Sequence, residues 1–486
     1  MTEQLNNLGT LLGEPLYVYA PDYIDVQTVL NLLKQPVIKE NYRLFLLNDD
    51  ETISCQIPNE DIIINNCNYS ENYQNGQRRS LSISLNNSDG KYTPSINKIW
   101  ITNKFRLDVG ISSLIYTAPE GGPKTYWFPR GIYVLGNPVA NRDNSDKTLE
   151  LQLMDKFAYL EGSVGTLDTT YEIKAGTEIK QVITQTLNLD NGMGLPIDNQ
   201  SFYYDASFEG KTMPYDYAKD AGSTIGEIFL DIATILDAEV FYNSMGHLTF
   251  IPTNSAMNDA QKPTLYDYDD TNSSLFTESI SYDFENTINS IQVVGDQIDS
   301  AVSYSFAENN NPKSPICVKR IGRRTLYVND SNIYSNKLAK SRAMYELRIR
   351  GILATSLSIN VAFNPLLFVD NLITLTDSFF NYNREQFLIQ SISYNLGTDS
   401  QMTLTCSNLQ NFIANPEDYL DYVRCTSQAQ AVDLIIHYLG GSVPTGNVLD
   451  FISEDDESYN YELSSGGSVI KSFKVIKENS QVIELA

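Results

Sequence analysis

Two adjacent arginines, Arg78 and Arg79, are the residues whose type and spacing first suggest binding chemistry, because paired guanidinium groups can hold an anion. They precede the alternating segment SLSISL, which is typical of a strand. Neighbouring side chains of a strand point to opposite faces, so the pair is poorly placed to hold one anion together. A framework role is favoured instead, with Gly76 before the strand and the turn residues Asp89 and Gly90 after it.

His247 and His437 are the only histidines of the chain. A catalytic triad or a zinc site that uses both stays open, but nothing in the sequence places either one beside a nucleophile or a second ligand. Ordinary packing or surface histidines are the favoured interpretation.

The 60 acidic residues supply many carboxylate pairs by chance, so they are no specific sign of glycosidase chemistry. Asp267, Asp269 and Asp270, and the run 454–457, have the oxygen ligands that calcium prefers, but neither matches the spacing of a calcium loop. Solvated acidic turns are favoured. The sequence also has no phosphate-binding loop, no G-x-S-x-G elbow and no C-x-x-C among its five cysteines. We therefore predict no catalytic residues, no cofactor and no metal.

Tyrosine is abundant, with 31 residues in a chain whose charged fraction is only 19%. Tyrosine suits the pleated, half-buried surface of a sheet. Three close pairs, at 203–204, 215–217 and 266–268, are interpreted as packing or subunit contacts, although such rings also stack on sugars. The alternative hypothesis is therefore a host-surface protein that binds carbohydrate or degrades the cell wall.

The net charge of −26 argues against stable binding to nucleic acid, which needs lysine and arginine to displace counterions. It does not argue against DNA passing nearby, since a wall that repels a polyanion weakly lets it slide. No signal peptide and no long apolar segment is found, so we expect a soluble protein that is made in the cytoplasm and does not insert into a membrane.

Hydrophobic periodicity divides the chain into five parts. Residues 1–40 are predicted as a leader with a helix capped by Asp25, and 41–168 as an antiparallel β domain that includes a strand at 61–65. Residues 169–274 are predicted as an α+β insert, in which Thr224 and Glu227 form a capping box before a helix and a hairpin. Residues 275–410 form a second β domain with one helix, ended by Gly351, and 411–486 are mixed, with a loop at 452–467. The pattern alone leaves open whether the two β domains are an internal duplication.

The segment NYQNGQRRSLSISLNNSDGKYTP, followed by IWITNKFRLDVGI, resembles the N-terminal barrel of bacteriophage tail hub proteins, which also occur in phage-tail-like bacteriocins. The helix and hairpin at 224–252 and the strands DNLITLTD, FLIQSISYNL and MTLTC have the type and order found in that family, so the similarity covers about residues 40–410. The residues that match the framework of the family are Gly76, Arg78, Arg79, Asp89, Gly90, Tyr92, Trp100, Lys104, Phe105 and Arg106.

The resemblance implies a mainly β chain with two tail-tube-like antiparallel β-barrels, separated by the helix–hairpin module. It implies a homotrimer whose six barrels form a pseudo-hexameric ring between the hexameric tail tube and a three-fold central spike or fibre. The expected partners are the tail tube protein, the spike or fibre, a baseplate wedge or distal tail protein and the tape measure protein. The expected location is the tail tip or baseplate of the virion, with DNA passing through the channel.

Overall fold

The computed structural model describes residues 3–35, 38–96, 98–117, 122–143, 146–236, 238–252, 264–270, 275–298, 301–311, 314–330, 333, 336–351, 353, 355–397, 401–408, 428–439, 443–444, 446–478 and 482–485. The chain forms two compact units. The first includes residues 1–254, 262–280 and 357–407, and the second includes 281–356 and 408–486. The predicted β domain at 275–410 thus contributes to both units, and the predicted domain boundaries stay predictions.

The N-terminal third is built from strands and one short helix. Its elements are β1 (Gln4–Leu11), β2 (Glu14–Ala20), α1 (Val26–Leu33), β3 (Ile38–Leu47), β4 (Ile53–Ile57), β5 (Asn68–Asn72), β6 (Arg79–Asn86), β7 (Lys104–Thr117), β8 (Pro123–Leu135), β9 (Val139–Arg142) and β10 (Lys147–Asp155). Helix α1 begins as predicted, because the Asp25 carboxylate accepts the N–H of Thr28 at 2.8 Å. The β1–β2 hairpin was not predicted.

The strand predicted at 61–65 is wrong. Two 3₁₀ turns, Asn59–Asp61 and Ile64–Asn66, occupy this segment. The N–H of Asp61 bonds to the carbonyl of Pro58, and the N–H of Asn66 bonds to that of Ile63, so these backbone groups close local turns rather than a ladder. The apolar run is explained by burial, since Ile62 packs into the core.

The predicted α+β insert is confirmed as a helix packed on a hairpin. Helix α2 (Phe157–Glu161) precedes the predicted bounds of this insert. Within them lie β11 (Tyr171–Ile173), α3 (Ile179–Leu187), β12 (Tyr203–Tyr204), β13 (Tyr217–Lys219), α4 (Ile225–Leu236), β14 (Ala238–Tyr242) and β15 (Leu248–Pro252). The Thr224 hydroxyl accepts the N–H of Glu227 at 3.2 Å, which confirms the Thr224 half of the predicted capping box, while the Glu227 carboxylate lies 3.4 Å from Lys219. The apolar face of α4 and the hairpin share one core, which includes Ile228, Phe229 and Phe250.

The remaining elements complete the large sheet and form the second unit. They are β16 (Thr264–Asp269), β17 (Leu275–Tyr282), β18 (Ser290–Ile298), β19 (Ala301–Glu308), α5 (Val318–Ile321), β20 (Thr325–Asn329), α6 (Asn336–Arg350), β21 (Thr355–Ala362), β22 (Leu372–Asp377), β23 (Tyr382–Asn395), β24 (Gln401–Asn408), α7 (Gln428–Tyr438), β25 (Asn447–Glu454), β26 (Ser458–Ser465), β27 (Ser468–Ile476) and β28 (Val482–Leu485).

A single sixteen-stranded sheet joins strands from both predicted β domains. Its main path among the described strands is β17-β21-β24-β23-β5-β6-β10-β8-β7-β3-β4, with β1, β2, β9, β16 and β22 attached beside it. The mainly β class with an α+β insert is therefore confirmed. In the part of the chain that the structure describes, this path does not close into a barrel, and the strands of the two regions pair with each other.

The junction of the two regions is the antiparallel pair β5–β23, in which Tyr69 lies opposite Tyr394 and Asn72 opposite Ser391. One continuous hydrophobic core lies against this sheet and takes residues from both regions. On β6 the predicted alternation holds, since Leu81, Ile83 and Leu85 are all buried. Because each lies opposite a buried leucine of β10, the same face is apolar on both strands.

The second unit has two small sheets, each with its own core. The first has the order β19-β18-β20 and buries Ile291 and Val293 with residues of α6. Helix α6 ends before Gly351 as predicted, but not through a left-handed turn. A Cβ there would collide with the carbonyl oxygen of Leu347, so the close approach requires glycine.

The second small sheet has the order β25-β26-β27-β28 and packs on α7. It shows that the loop predicted at 452–467 is wrong, because β25 and β26 form a hairpin there. Tyr459, Tyr461 and Leu463 alternate into the core, and within 452–467 the chain leaves the strands only at 455–457 and at the turn 466–467. None of the described helices is long and apolar enough to cross a membrane.

Candidate functional site

Gly76 lies where the first sheet region meets the helix–hairpin module. Its N–H donates to the carbonyl of Val240 on β14 at 2.8 Å, and its φ of +87° lies in the region that favours glycine. A Cβ at this position would lie 3.2 Å from the ring of Phe157. The glycine therefore permits both the turn and the close approach of the hairpin.

Arg79, the first residue of β6, is fully buried, and both of its terminal nitrogens donate to groups of the protein. Its Nη2 donates to Glu14 and, at 2.8 Å, to Glu71, and its Nη1 donates to the carbonyl of Tyr242 at 2.7 Å. Glu14 in turn accepts the N–H of Ser244 at 2.8 Å. Burial disfavours the charged form of the guanidinium and by itself would lower its pKa. The negative charges of Glu14 and Glu71 have the larger effect together and hold the pKa of Arg79 well above its ordinary value.

Arg78 binds a different carboxylate. Its Nη2 donates to Glu239 of β14 at 2.7 Å, its Nε donates to the carbonyl of Gln74 at 2.8 Å, and its guanidinium lies 3.6 Å from the ring centroid of Phe241. Tyr73 donates a second hydrogen bond to Glu239, at 2.7 Å. The two arginines thus hold separate groups, and both of them contact the hairpin.

Asp155, at the end of β10, fixes the backbone that carries both arginines. One carboxylate oxygen accepts the N–H groups of Arg78 and Arg79, at 2.6 and 2.8 Å, and the other accepts that of Phe157 at 3.0 Å. Burial raises the pKa of Asp155 to about 6 although these bonds favour the ionised form. We call Arg78, Arg79, Glu14, Glu71, Asp155 and Glu239 the arginine network.

A second group of buried charges lies beside it. Lys156 donates to Glu51 at 2.7 Å and to Asp198 at 2.8 Å, and Lys104 also contacts Glu51 at 2.7 Å. Tyr242 completes the group by donating to Asp198 at 2.7 Å. The positive charge of Lys156 keeps the pKa of Asp198 low against the effect of burial. This lysine network connects the turn before β4, helix α2 and the hairpin.

The turn residues of the opening segment form a local structure of their own. Asp89 accepts the N–H of Lys91 at 3.0 Å, and Gly90 has a φ of +71°. Tyr92 donates to Asp61 at 2.7 Å, and Lys91 lies 2.8 Å from the same carboxylate. These contacts fasten the turn to the 3₁₀ segment that follows β4.

The residues from 100 to 106 that match the framework of the family lie in different environments. Trp100 is 41% exposed in the loop before β7, whereas Phe105 is fully buried. Arg106 contacts Asp108 at 2.9 Å and lies over the rings of Tyr19 and Phe45. The structure therefore brings Gly76, Arg78 and Arg79 together and places the other predicted residues elsewhere in the first unit, on β7, in the turn after β6 and in the loop before β7. The framework role of all ten stays a prediction.

Sequence reasoning missed the carboxylates of the arginine network. The available signal was an acidic residue inside an apolar strand, as with Glu239 in AEVFY and Glu14 before PLYVYA. Such a residue is rarely buried unless it is paired, so each one indicates a basic partner elsewhere in the chain. The partner itself cannot be read from the sequence, since Arg79 and Glu14 are brought together only by the fold.

The arginine network holds the sheet, helix α2 and the hairpin together through hydrogen bonds between its own members and neighbouring backbone groups. Every charge of the arginine network contacts an internal partner.

Burial and the charge of Lys156 lower the pKa of His247, and His437 lies on α7 of the second unit. Of the three tyrosine pairs, Tyr266 and Tyr268 pack in the main core. Within the described ranges, no group of three histidine, cysteine or acidic side chains is arranged to hold a metal ion.

Comparison with known proteins gives matches to solved structures only. No protein-family model matches the chain, and no curated protein sequence matches it. The structure is similar to the tail protein from Neisseria meningitidis MC58, with 10% identity, a TM-score of 0.49 and coverage of 76% of this chain and 97% of that one. For the 43 kDa tail protein of prophage MuSo2 from Shewanella oneidensis, the identity is 11%, the TM-score 0.48 and the coverage 78% and 99%. For a chain of the Francisella PdpA–VgrG complex, the identity is 9% and the TM-score 0.47, and the match covers 95% of this chain and 80% of that one.

Proposed function

We propose that this protein is a structural hub of a phage tail or phage-like particle, without catalytic activity. Three copies form a ring that joins the hexameric tail tube to a three-fold spike or fibre and leaves a channel for DNA. The partners are the tail tube protein, the spike or fibre, a baseplate wedge or distal tail protein and the tape measure protein. The chain is assembled in the host cytoplasm and is then part of the tail tip or baseplate.

The observation that carries the proposal is the strand order of the large sheet. Among the described strands, its main path ends at β4 on one side and at β17 on the other. Both strands have exposed residues, with Ile53 of β4 at 47% and Phe276 of β17 at 46%. An edge strand has unpaired N–H and C=O groups, which are suited to pairing with another chain. A subunit with an edge at each end can contact a neighbour on both sides, as a closed ring requires.

The buried charges inside the first unit support a structural role for the chain over a catalytic one. The arginine network and the lysine network fix the helix–hairpin module to the sheet through buried, paired charges. Such networks favour one geometry because a buried charge that loses its partner is costly. The net charge of −26 suits a channel through which DNA passes without being held.

The test is the oligomeric state and shape of the purified chain. Native mass spectrometry is expected to give three times the chain mass of 54.6 kDa, and negative-stain class averages are expected to show a ring with a central hole. The charged substitution Phe276→Asp on β17 is expected to abolish the trimer, whereas Tyr215→Asp, at a 54% exposed residue of the insert, leaves it intact. A compact monomer at all concentrations, or turnover of host cell-wall polysaccharide, would overturn the proposal.

A further inference from the structure

A pocket of about 220 Å³ lies in the first unit, on the exposed side of the lysine network. It is lined by the β3–β4 turn with Asp49 and Asp50, by Tyr159 of α2 and by the loop after α3 with Met193 and Leu195. Pockets for small-molecule ligands measure about 300–1,000 Å³, so this one is too small for an oligosaccharide or a nucleotide. Its volume suits one long side chain.

The rim of the pocket is fixed before any partner binds. The Asp190 carboxylate accepts the N–H groups of Gly192 and Gly194, at 2.9 and 2.8 Å, and the N–H of Asn191 donates to the carbonyl of Leu195 at 2.9 Å. These bonds hold Met193 and Leu195 outward, where they are 60% and 49% exposed. A preformed rim lowers the entropy that binding would otherwise cost.

The charge of the pocket is negative once the internal ion pairs are taken into account. Lys104 is the cation of the lining, and it is paired with Glu51. The Asp198 carboxylate is paired with Lys156. Asp49 and Asp50 therefore leave the pocket with a surplus of negative charge. Burial, and then the charge of Asp49, raise the pKa of the Tyr159 hydroxyl, and both residues line the pocket.

We propose that this pocket, bounded by Asp49, Asp50, Tyr159, Met193 and Leu195, receives an arginine side chain of a partner protein, presented by an apolar segment. The guanidinium binds the aspartates and stacks on the Tyr159 ring, and the apolar neighbours of the arginine cover the rim residues. Arginine is favoured over lysine because its planar group pairs with carboxylates and aromatic faces together. Arginine and tyrosine are also the residue types that contribute most to protein–protein binding energy. The proposal depends only on the first unit and not on the trimer.

The test is a titration of the full-length chain carrying ¹³C-methyl methionine, with the Met193 signal assigned through Met193→Leu. Nα-acetyl-arginine amide is expected to shift this signal with saturation in the millimolar range, and Nα-acetyl-citrulline amide, which lacks the charge, is expected to bind at least tenfold more weakly. The double substitution Asp49→Asn, Asp50→Asn is expected to weaken the binding of the arginine derivative at least fivefold. The control Asp168→Asn removes an exposed carboxylate of the same unit outside the pocket and is expected to change nothing.

Equal binding of the two compounds by the unaltered chain would overturn the proposal without any substitution. So would the absence of a saturable shift of the Met193 signal, or full affinity in the double variant. An increase of the salt concentration from 50 to 500 mM is expected to weaken the binding of the arginine derivative and not that of the citrulline derivative, because only the binding of the arginine derivative depends on charge.

Discussion

Tyr69 on β5 stacks on Tyr394 on β23, with ring centroids 4.7 Å apart and an angle of 23° between the ring planes. The two residues lie directly opposite each other in the antiparallel ladder between β5 and β23. This contact joins segments that the sequence assigns to different domains, and it lies in the core that both segments share.

The Tyr69–Tyr394 pair is expected to show a coupling energy of about 0.5–1.5 kcal/mol in a double-mutant cycle of leucine substitutions. Urea unfolding followed by tryptophan fluorescence measures it, since both tryptophans, Trp100 and Trp127, lie in the first unit. Additive effects of Tyr69→Leu and Tyr394→Leu would show that the rings do not stabilise each other. Tyr394→Phe keeps the ring and is expected to keep the coupling.

The substitution Arg79→Met is expected to lower the free energy of unfolding by roughly 3–5 kcal/mol, because it leaves Glu14 and Glu71 buried without their shared cation. Adding Glu14→Gln and Glu71→Gln should restore part of the loss by removing the unpaired charges. The control Arg142→Met removes an exposed arginine of β9 and should cost less than about 0.5 kcal/mol. Hydrogen exchange should become faster in the hairpin at 238–252. A hairpin as protected as in the unaltered chain would contradict the fastening role.

Gly76 and Gly222 form a matched pair for separating backbone strain from close packing. Their φ angles are +87° and +89°, but a Cβ would meet Phe157 at position 76 and nothing within 4 Å at position 222. Both alanine substitutions should cost about 1 kcal/mol for the left-handed backbone. We expect Gly76→Ala to cost about 1–2 kcal/mol more, measured by the urea midpoint of the first unit. Equal losses would show that Phe157 moves aside freely.

Glu40 on β3 is expected to make the first unit less stable as the pH rises. Its side chain is buried, neither carboxylate oxygen has a hydrogen-bond partner in the described part of the chain, and burial raises its pKa to about 8. The unfolded chain releases this proton near pH 4.5, so between about pH 5 and 8 only the folded state retains it.

The free energy of unfolding should therefore fall by about 1.4 kcal/mol per pH unit in that range, relative to the variant Glu40→Gln. The contribution of Glu40 is fully present below the unfolded pKa and is lost as the pH passes the folded one. Urea titrations of both proteins at pH 5, 6, 7 and 8 measure the difference in slope, which does not depend on any constant offset between them. Parallel curves would show that Glu40 is ionised or paired in the folded protein.

The sequence by itself determined the local elements. Alternation in SLSISL predicted β6, and the spacing of apolar residues together with Thr224 predicted α4. The abundance of tyrosine and the many alternating runs predicted a mainly β chain. These signals are local, because the period of a strand or helix is imposed by its own backbone on each successive residue. These local signals predicted the wrong element at two places. At 61–65 an apolar run that is buried in 3₁₀ turns has the pattern of a strand, and at 452–467 a tyrosine-rich hairpin has the pattern of a loop.

The tertiary structure decided which elements meet. The pairing of β5 with β23, the burial of Arg79 between Glu14 and Glu71, and the pocket beside Tyr159 each depend on residues far apart in the chain. A carboxylate inside an apolar strand indicates that a basic partner exists, but it does not say which residue that partner is, because the partner lies outside the local pattern. For the same reason two regions of similar alternation do not reveal whether they close separately or join into one sheet.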